Sequence, residues 1–405
     1  MIDYLIIGAG ITGITLCKKL KEKGYNVLVL EAEKQAGGLC RTENINGHIL
    51  DIGGGHFFHT KYKEVFDFVF NYIKEDEFNF IPRVSKIKIG ENTIDYPLES
   101  NIWQLPIEEQ ISYLISVIRN GESLGKTEPK NYEEWIRWKL GNLVCENYMI
   151  PYNTKLWGVK PCEMDIDWLY KIPRVDVREV LKYSLERKQD KTKFPAHINF
   201  YYPKKGGFQK IFDALYKDEK ENIILNSPVV KIEKMSDKNW IVNNKYIAKN
   251  IINTTPWNDL YEALGEPQHL KYDFEKIKYN RIVISLYEQD YSVDWHWRYV
   301  PDMQRNYHRE FYIYNFAKDS KKNGMYVETN LKRFGGEENY IGKNIYNYTT
   351  KAAYPIPVIG HSQAIKNILE YYKKLNMFGV GRWGQHEYQN ADVSIYNALK
   401  FVENL

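Results

Sequence analysis

The chain opens with an apolar run, Tyr4 to Ile7, that ends in the glycines Gly8-Ala9-Gly10-Ile11-Thr12-Gly13. From Ile14 to Lys23 apolar positions recur at helical spacing, and after Gly24 a second apolar run, Val27 to Leu30, ends at Glu31. Short continuous apolar runs predict strands, here flanking an amphipathic helix. The pattern then predicts a helix over Tyr62 to Ile73, strands over Arg83 to Ile89 and Asn92 to Tyr96, and a break at Pro97. From Leu105 to about Lys188 it turns helical. Pro106-Ile107-Glu108-Glu109 starts one helix and Tyr132 another, with Trp135, Ile136, Leu140, Leu143 and Val144 on one face.

Beyond Gly206-Gly207-Phe208 a helix is predicted over Gln209 to Tyr216, then strands over Ile223 to Leu225, Val229 to Glu233 and Lys249 to Asn253. Polarity alternates over residues 257–350, as in an antiparallel sheet forming the floor of a cleft. A helix over Ser362 to Leu375, a buried strand through Phe378 to Gly384 and a helix over Asp392 to Glu403 complete the chain. The organisation expected is an α/β domain assembled from residues 1–100, 196–256 and 351–405. A helical insertion domain (101–195) and an antiparallel β-sheet substrate domain (257–350) interrupt it.

The glycine spacing adds chemistry to the first unit. In a strand–turn–helix–strand unit, Gly8 makes the tight turn, Gly10 lets a pyrophosphate approach the backbone, and Gly13 lets helix pack on strand. The helix N-terminus aims unpaired N–H groups at the phosphates, and Glu31 stands where a carboxylate accepts from ribose hydroxyls. The unit is Rossmann-like and binds a dinucleotide.

A plain NAD domain would continue with a helix. Here Gly37-Gly38-Leu39-Cys40-Arg41-Thr42 follows the acid, then Gly47 to Asp51 and Gly53-Gly54-Gly55-His56-Phe57-Phe58-His59-Thr60. This resembles the FAD-binding half of the amine-oxidase and protoporphyrinogen-oxidase superfamily, and its last segment resembles UDP-galactopyranose mutases. The resemblance implies FAD contacts at Gly8, Gly10, Ile11, Thr12, Gly13, Glu31, Gly38, Leu39, Gly55 and His56. It further implies contacts at Val230 beside the adenine, and at Arg382, Ala391, Asp392 and Val393 around a helix N-terminus facing the flavin. That positive end, with Arg382, would stabilise an anionic reduced flavin, and Asp392 is expected to cap the helix.

The same family likeness runs through Tyr148 to Trp157, with Lys171-Ile172-Pro173-Arg174 after it, and through Tyr307-His308-Arg309, Tyr354-Pro355 and Tyr388. It implies that Tyr152, Asn153, Trp157, Arg174, Tyr307, Arg309, Tyr354 and Tyr388 bind substrate. Among these, Arg174, Arg309, Tyr354 and Tyr388, together with His56, are the catalytic candidates. A diphosphate needs the planar fork of a guanidinium, and a base needs a flat ring to stack on. The sequence departs from the family where Arg174 directly follows Pro173, where Asn153 replaces a threonine, and where Asn390 replaces an aspartate.

The function implied is a redox-neutral interconversion of pyranose and furanose forms of a nucleoside-diphosphate sugar, UDP- or dTDP-linked, for surface polysaccharide. Reduced flavin N5 would attack the anomeric carbon, with NAD(P)H as an external reductant. The alternative is an amine-oxidase-like oxidoreductase, which would need an apolar tunnel and no diphosphate clamp.

Bulk composition is consistent with these readings. The 405 residues are 43% hydrophobic and 27% charged, as in a soluble globule. A net charge of +4 from 56 basic and 52 acidic residues argues against nucleic acid as a partner. The 33 tyrosines suit an aromatic-lined polar cleft or reflect an AT-rich genome. Cys17, Cys40, Cys145 and Cys162 are scattered and read as reduced thiols, and no metal-ligand spacing occurs. No apolar run is long enough to span a bilayer and no leader precedes the first strand, so a cytoplasmic protein, compatible with a homodimer, is expected.

Overall fold

Strand Ile2–Ile7 becomes the interior of a parallel sheet, because both of its faces have apolar cover. Tyr4 and Ile6 face the opening helix, Ile11–Glu22, and the closing helix, Ala391–Glu403. Leu5 and Ile7 face a second cluster that includes Trp257, Leu260, Phe274 and Ile368. Period-two alternation therefore persists, but neither face is polar.

A computed structural model describes residues 1–169, 176–188, 198–335 and 342–405. In the first sheet, Ile2–Ile7 lies between Tyr246–Asn253 and Val27–Leu30, parallel to both. Ile223–Ile224 extends one edge, while Trp240–Val242 and Ile232–Lys234 form an antiparallel meander on the other. Met377–Gly379 adds a parallel strand beside Tyr246–Asn253.

The second sheet runs in the order Lys343–Thr349, Ile282–Glu288, Gly324–Asn330, Arg309–Phe311, Trp297–Tyr299, Ser85–Ile89, Asn92–Asp95. It is antiparallel except where Trp297–Tyr299 meets Ser85–Ile89. Helices Ile107–Ile118, Tyr132–Leu140, Ile150–Trp157 and Val177–Glu186 occupy the expected helical region.

Two expectations shift. The strands after Arg83 pair with the second sheet, although they precede the helical region in sequence. Residues after Trp257 form short helical turns, Trp257–Leu260, Gln268–Leu270 and Lys271–Lys276, before the sheet starts. Their apolar side chains cover the second face of the parallel sheet, which a helical turn does as well as a strand.

Candidate active site: two neighbouring cavities

The glycine turn is built as its spacing predicts. Gly8 has φ +99°, and a Cβ there would lie 2.8 Å from Thr254 and Thr255. A Cβ on Gly13 would lie 2.0 Å from the Gly8 carbonyl oxygen, so helix and strand touch only because it is absent. A Cβ on Gly10 would meet nothing within 4 Å, which leaves open space at the helix N-terminus.

That space belongs to a cavity lined by Gly8, Gly10, Ile11, Thr12, Glu31, Gly38, Leu39, His56, Arg382 and Ala391 of the expected set. Glu31 accepts from the Ala9 N–H (2.7 Å) and the Glu33 N–H (2.9 Å), which fixes its carboxylate at the cavity wall. Arg41 also lines the cavity, and its buried Nε has no hydrogen-bond partner. An open cradle at Gly10, a helix N-terminus and an unsatisfied guanidinium nitrogen together fit a dinucleotide pyrophosphate.

His56 has Nδ1 2.7 Å from the Gly54 carbonyl oxygen, and burial, with Arg382 nearby, lowers its pKa to about 4. It is neutral. Arg382 sits on a helical turn, Gly381–Gly384, rather than on the expected strand, which is only Met377–Gly379. Its Nε donates to the Gln389 carbonyl (2.7 Å) and its Nη1 to the Ala353 carbonyl (3.0 Å).

Several expected contacts need correction. Val230 does not line the cavity: it is 69% exposed, and its N–H donates to Asn243 Oδ1. The strand expected there begins only at Ile232, which leaves Val230 in a surface loop. Gly55 acts behind the cavity wall. A Cβ there would strike the Phe311 ring at 1.9 Å, and its N–H donates to Glu328 Oε1. Asp392 is not the cap, because the helix starts at Ala391 and Asn390 takes the cap position. Asp392 is instead a buried first-turn acid bonded to Thr60, with its pKa raised by burial. Val393, next to it, is not among the cavity-lining residues.

The second cavity lies between the helical region and the second sheet. Tyr152, Asn153, Trp157, Arg309, Tyr354 and Tyr388 all line it. Helix Ile150–Trp157 presents Tyr152, and Asn153 holds Trp157 by accepting from its indole N–H (3.0 Å). Asn153 in turn donates to the Met149 carbonyl (2.7 Å), so this side chain orients a neighbour.

Arg309 stands directly opposite Glu328 in the strand register, where opposite charges pair. Its Nε lies 2.8 Å from Glu328 Oε2, and its Nη2 donates to Tyr354 Oη (3.1 Å). Burial would raise the Glu328 carboxyl, yet Arg309, with His308 beside it, holds it down at about 2. Burial keeps His308 neutral, with its pKa lowered to about 4. Arg309 therefore stays charged inside the cavity, braced from behind.

Tyr307 does not join it. The strand begins only at Arg309, so the two-residue period that would bring 307 beside 309 does not reach back to it. Tyr307 packs with Val300, Tyr312 and Met325 and donates to Glu310 (2.9 Å), outside the residues lining the cavity. Arg174 and the Lys171–Pro173 residues before it lie outside the described residues.

A tyrosine pair of the second cavity stands beside Arg382 of the first. Tyr354 and Tyr388 have ring centroids 5.4 Å apart, and Trp157 stands edge-on to both. The Arg382 guanidinium lies 5.4 Å from the Tyr388 ring and 5.9 Å from the Tyr354 ring, on the cofactor side. Arg309 reaches Tyr354 from the other side. Sequence reasoning missed Tyr96, Glu99, Tyr148 and Tyr299 in the second cavity, and Arg41, Thr254, Thr255 and Tyr348 in the first. Arg41 and Thr254 were legible as glycine-motif and strand-end residues. Thr255 and Tyr148 adjoin segments already singled out, and Tyr96, Glu99, Tyr299 and Tyr348 arrive from distant ones.

A model of NAD(P)-binding Rossmann-like domains matches residues 6–72. A probable UDP-galactopyranose mutase of Klebsiella pneumoniae is 22% identical, over 99% of this chain and 94% of its own. A dTDP-fucopyranose mutase of Escherichia coli is 22% identical, over 100% of this chain and 98% of its own. The crystal structure of a reduced UDP-galactopyranose mutase superposes with a TM-score of 0.88 at 21% identity, covering 100% of this chain and 93% of that one. Fold and dinucleotide unit together define a Rossmann-like dinucleotide-binding fold. Over its whole length the chain is similar to UDP-galactopyranose mutases in sequence and in fold.

Proposed function

We propose that this protein is an isomerase that interconverts pyranose and furanose forms of a nucleoside-diphosphate sugar. One observation carries the reading: Arg309, held charged by Glu328, stands in the second cavity with Tyr354 and Tyr388, whose rings lie beside Arg382 of the first. A cation with phenol donors suits a diphosphate leaving group next to a bound cofactor. Two relatives that match along nearly the whole chain are named as a UDP-galactopyranose and a dTDP-fucopyranose mutase, which supports the same reading.

FAD would be held by the glycine turn, Glu31 and Arg41, with Arg382 at its flavin end. When bound and reduced, it would supply the nucleophile for the anomeric carbon. The chain's own residues hold the leaving diphosphate, orient the sugar through Trp157 and exclude water with a wall of tyrosines. NAD(P)H is the reductant we assign, and the product would serve surface polysaccharide assembly in the cytoplasm.

An amine-oxidase-like oxidation would need an apolar tunnel, and Arg309 with its phenols disfavours one. Anaerobic turnover of a nucleoside-diphosphate hexopyranose after a single reduction by dithionite tests the choice. Many furanose products per electron pair are expected. One reductant consumed per product would transfer the assignment to the oxidoreductases.

A further inference from the structure

We propose that Glu99 selects the base of the substrate nucleotide, and that the base it selects is guanine. The inference rests on the nucleoside-diphosphate reading above and deepens it.

Glu99 lies on the helical turn Leu98–Ser100 and lines the second cavity with Tyr96 and Tyr148. It is only 8% exposed. Among the described residues, no side chain bonds its carboxyl. A largely buried carboxyl that faces a cavity with no side-chain partner among the described residues is costly to keep, and a ligand bringing N–H donors would satisfy it.

Its place along the cavity sets which part of the ligand it meets. From the cofactor side the order is Arg382, Tyr354 with Tyr388, then Arg309. Tyr152 follows, within the electrostatic reach of Arg309. Tyr148 has its ring centroid 5.7 Å from that of Tyr152, and Glu99 acts on Tyr148 and Tyr96. A nucleotide sugar with its sugar at the cofactor and its diphosphate at Arg309 would place its base among these tyrosines, against Glu99.

The chemistry selects among the bases. An ionised carboxylate offers two acceptors and no donor. Guanine presents two adjacent donors, N1–H and the 2-amino group, which match the two oxygens in a forked pair. Uracil and thymine present one N–H between two carbonyls, so a lone pair would face a lone pair. Adenine and cytosine alternate donor with acceptor and leave one oxygen opposed. Repulsion excludes the wrong bases as much as attraction favours the right one. The assignment departs from the uracil or thymine that the family resemblance implies.

Burial pushes the Glu99 carboxyl up to about 7. Guanine requires the ionised form, so its affinity should rise as pH rises through that value. A protonated carboxyl pairing with uracil would show the reverse.

Calorimetric titration of the flavin-loaded protein with GDP, UDP, dTDP, ADP and CDP, at about one pH unit either side of neutrality, tests the proposal. GDP should bind roughly ten- to hundredfold tighter than the others, with the larger margin on the alkaline side. Glu99→Gln is isosteric and offers one donor and one acceptor, so it should lose the GDP preference and gain affinity for UDP and dTDP. Wild-type protein binding UDP or dTDP as tightly as GDP, or an unchanged ranking in Glu99→Gln, would overturn the role of Glu99 and leave the nucleotide-sugar reading standing. Binding of no nucleoside diphosphate would overturn both.

Discussion

Arg309 has two partners in this reading, Glu328 behind it and a diphosphate in front. Truncation to alanine removes a charged, desolvated hydrogen bond, at about 2–5 kcal/mol. Arg309→Ala should therefore weaken nucleoside-diphosphate binding about thirtyfold or more, while flavin content stays the same. Arg309→Lys should recover only part, since a point charge does not fork onto two oxygens. The structure adds a consequence. Glu328 would be left buried and unpaired, so Arg309→Ala should also lower stability by about 3–5 kcal/mol. Calorimetry and urea melts separate the two effects, and alanine binding nucleotide as tightly as wild type would remove the clamp.

The same pair sets an acid limb. Glu328 is held at about 2, below the ordinary glutamate value of 4.5. Its contribution is fully present above the unfolded value and is lost as pH falls from there toward about 2. Melts of Glu328→Gln across that window should show a flatter acid limb than wild type. Parallel limbs would mean that the pair does not govern it.

At the scale of the element, the opening turn separates binding from folding. Gly10 has φ −80°, and open space surrounds the position of its missing Cβ. Gly10→Val should leave the apo-protein's melting temperature almost unchanged and abolish uptake of FAD, read by visible absorbance. Gly13→Ala should do the opposite damage, because its Cβ would press into the Gly8 carbonyl and part helix from strand. If Gly10→Val lost stability as Gly13→Ala does, the open space would be a packing site and not a cradle.

At the scale of the molecule, the two cavities draw on different parts of the fold. The first is built mostly on the parallel sheet and its flanking loops, and the second between helices and the antiparallel sheet. Hydrogen exchange should therefore show two footprints. FAD should protect residues 8–13, 38–41 and 381–391, and a nucleoside diphosphate residues 96–99 and 148–157. Both should protect the surroundings of Tyr354 and Tyr388. Protection of the glycine turn by the diphosphate alone would exchange the roles of the cavities.

The opening unit was legible because its signals are local. Gly8, Gly10, Gly13 and Glu31 follow from a turn, a pyrophosphate and a ribose at fixed spacing within one supersecondary unit, and the Gln209–Tyr216 helix falls within its expected bounds. Arg309, Tyr354 and Tyr388 were reached through family likeness, and their convergence from separate segments came only with the tertiary fold. Tyr307 shows the limit of spacing: whether residues 307 and 309 share a face depends on where the strand begins. Ser85–Ile89 shows the same for pairing, since its partner Trp297–Tyr299 lies some two hundred residues away and no local period encodes it. Glu99 carried no signal as one acid in a polar loop. Only the packing of helices and sheet around it made it a buried carboxyl facing a cavity, because burial and desolvation belong to the assembled fold.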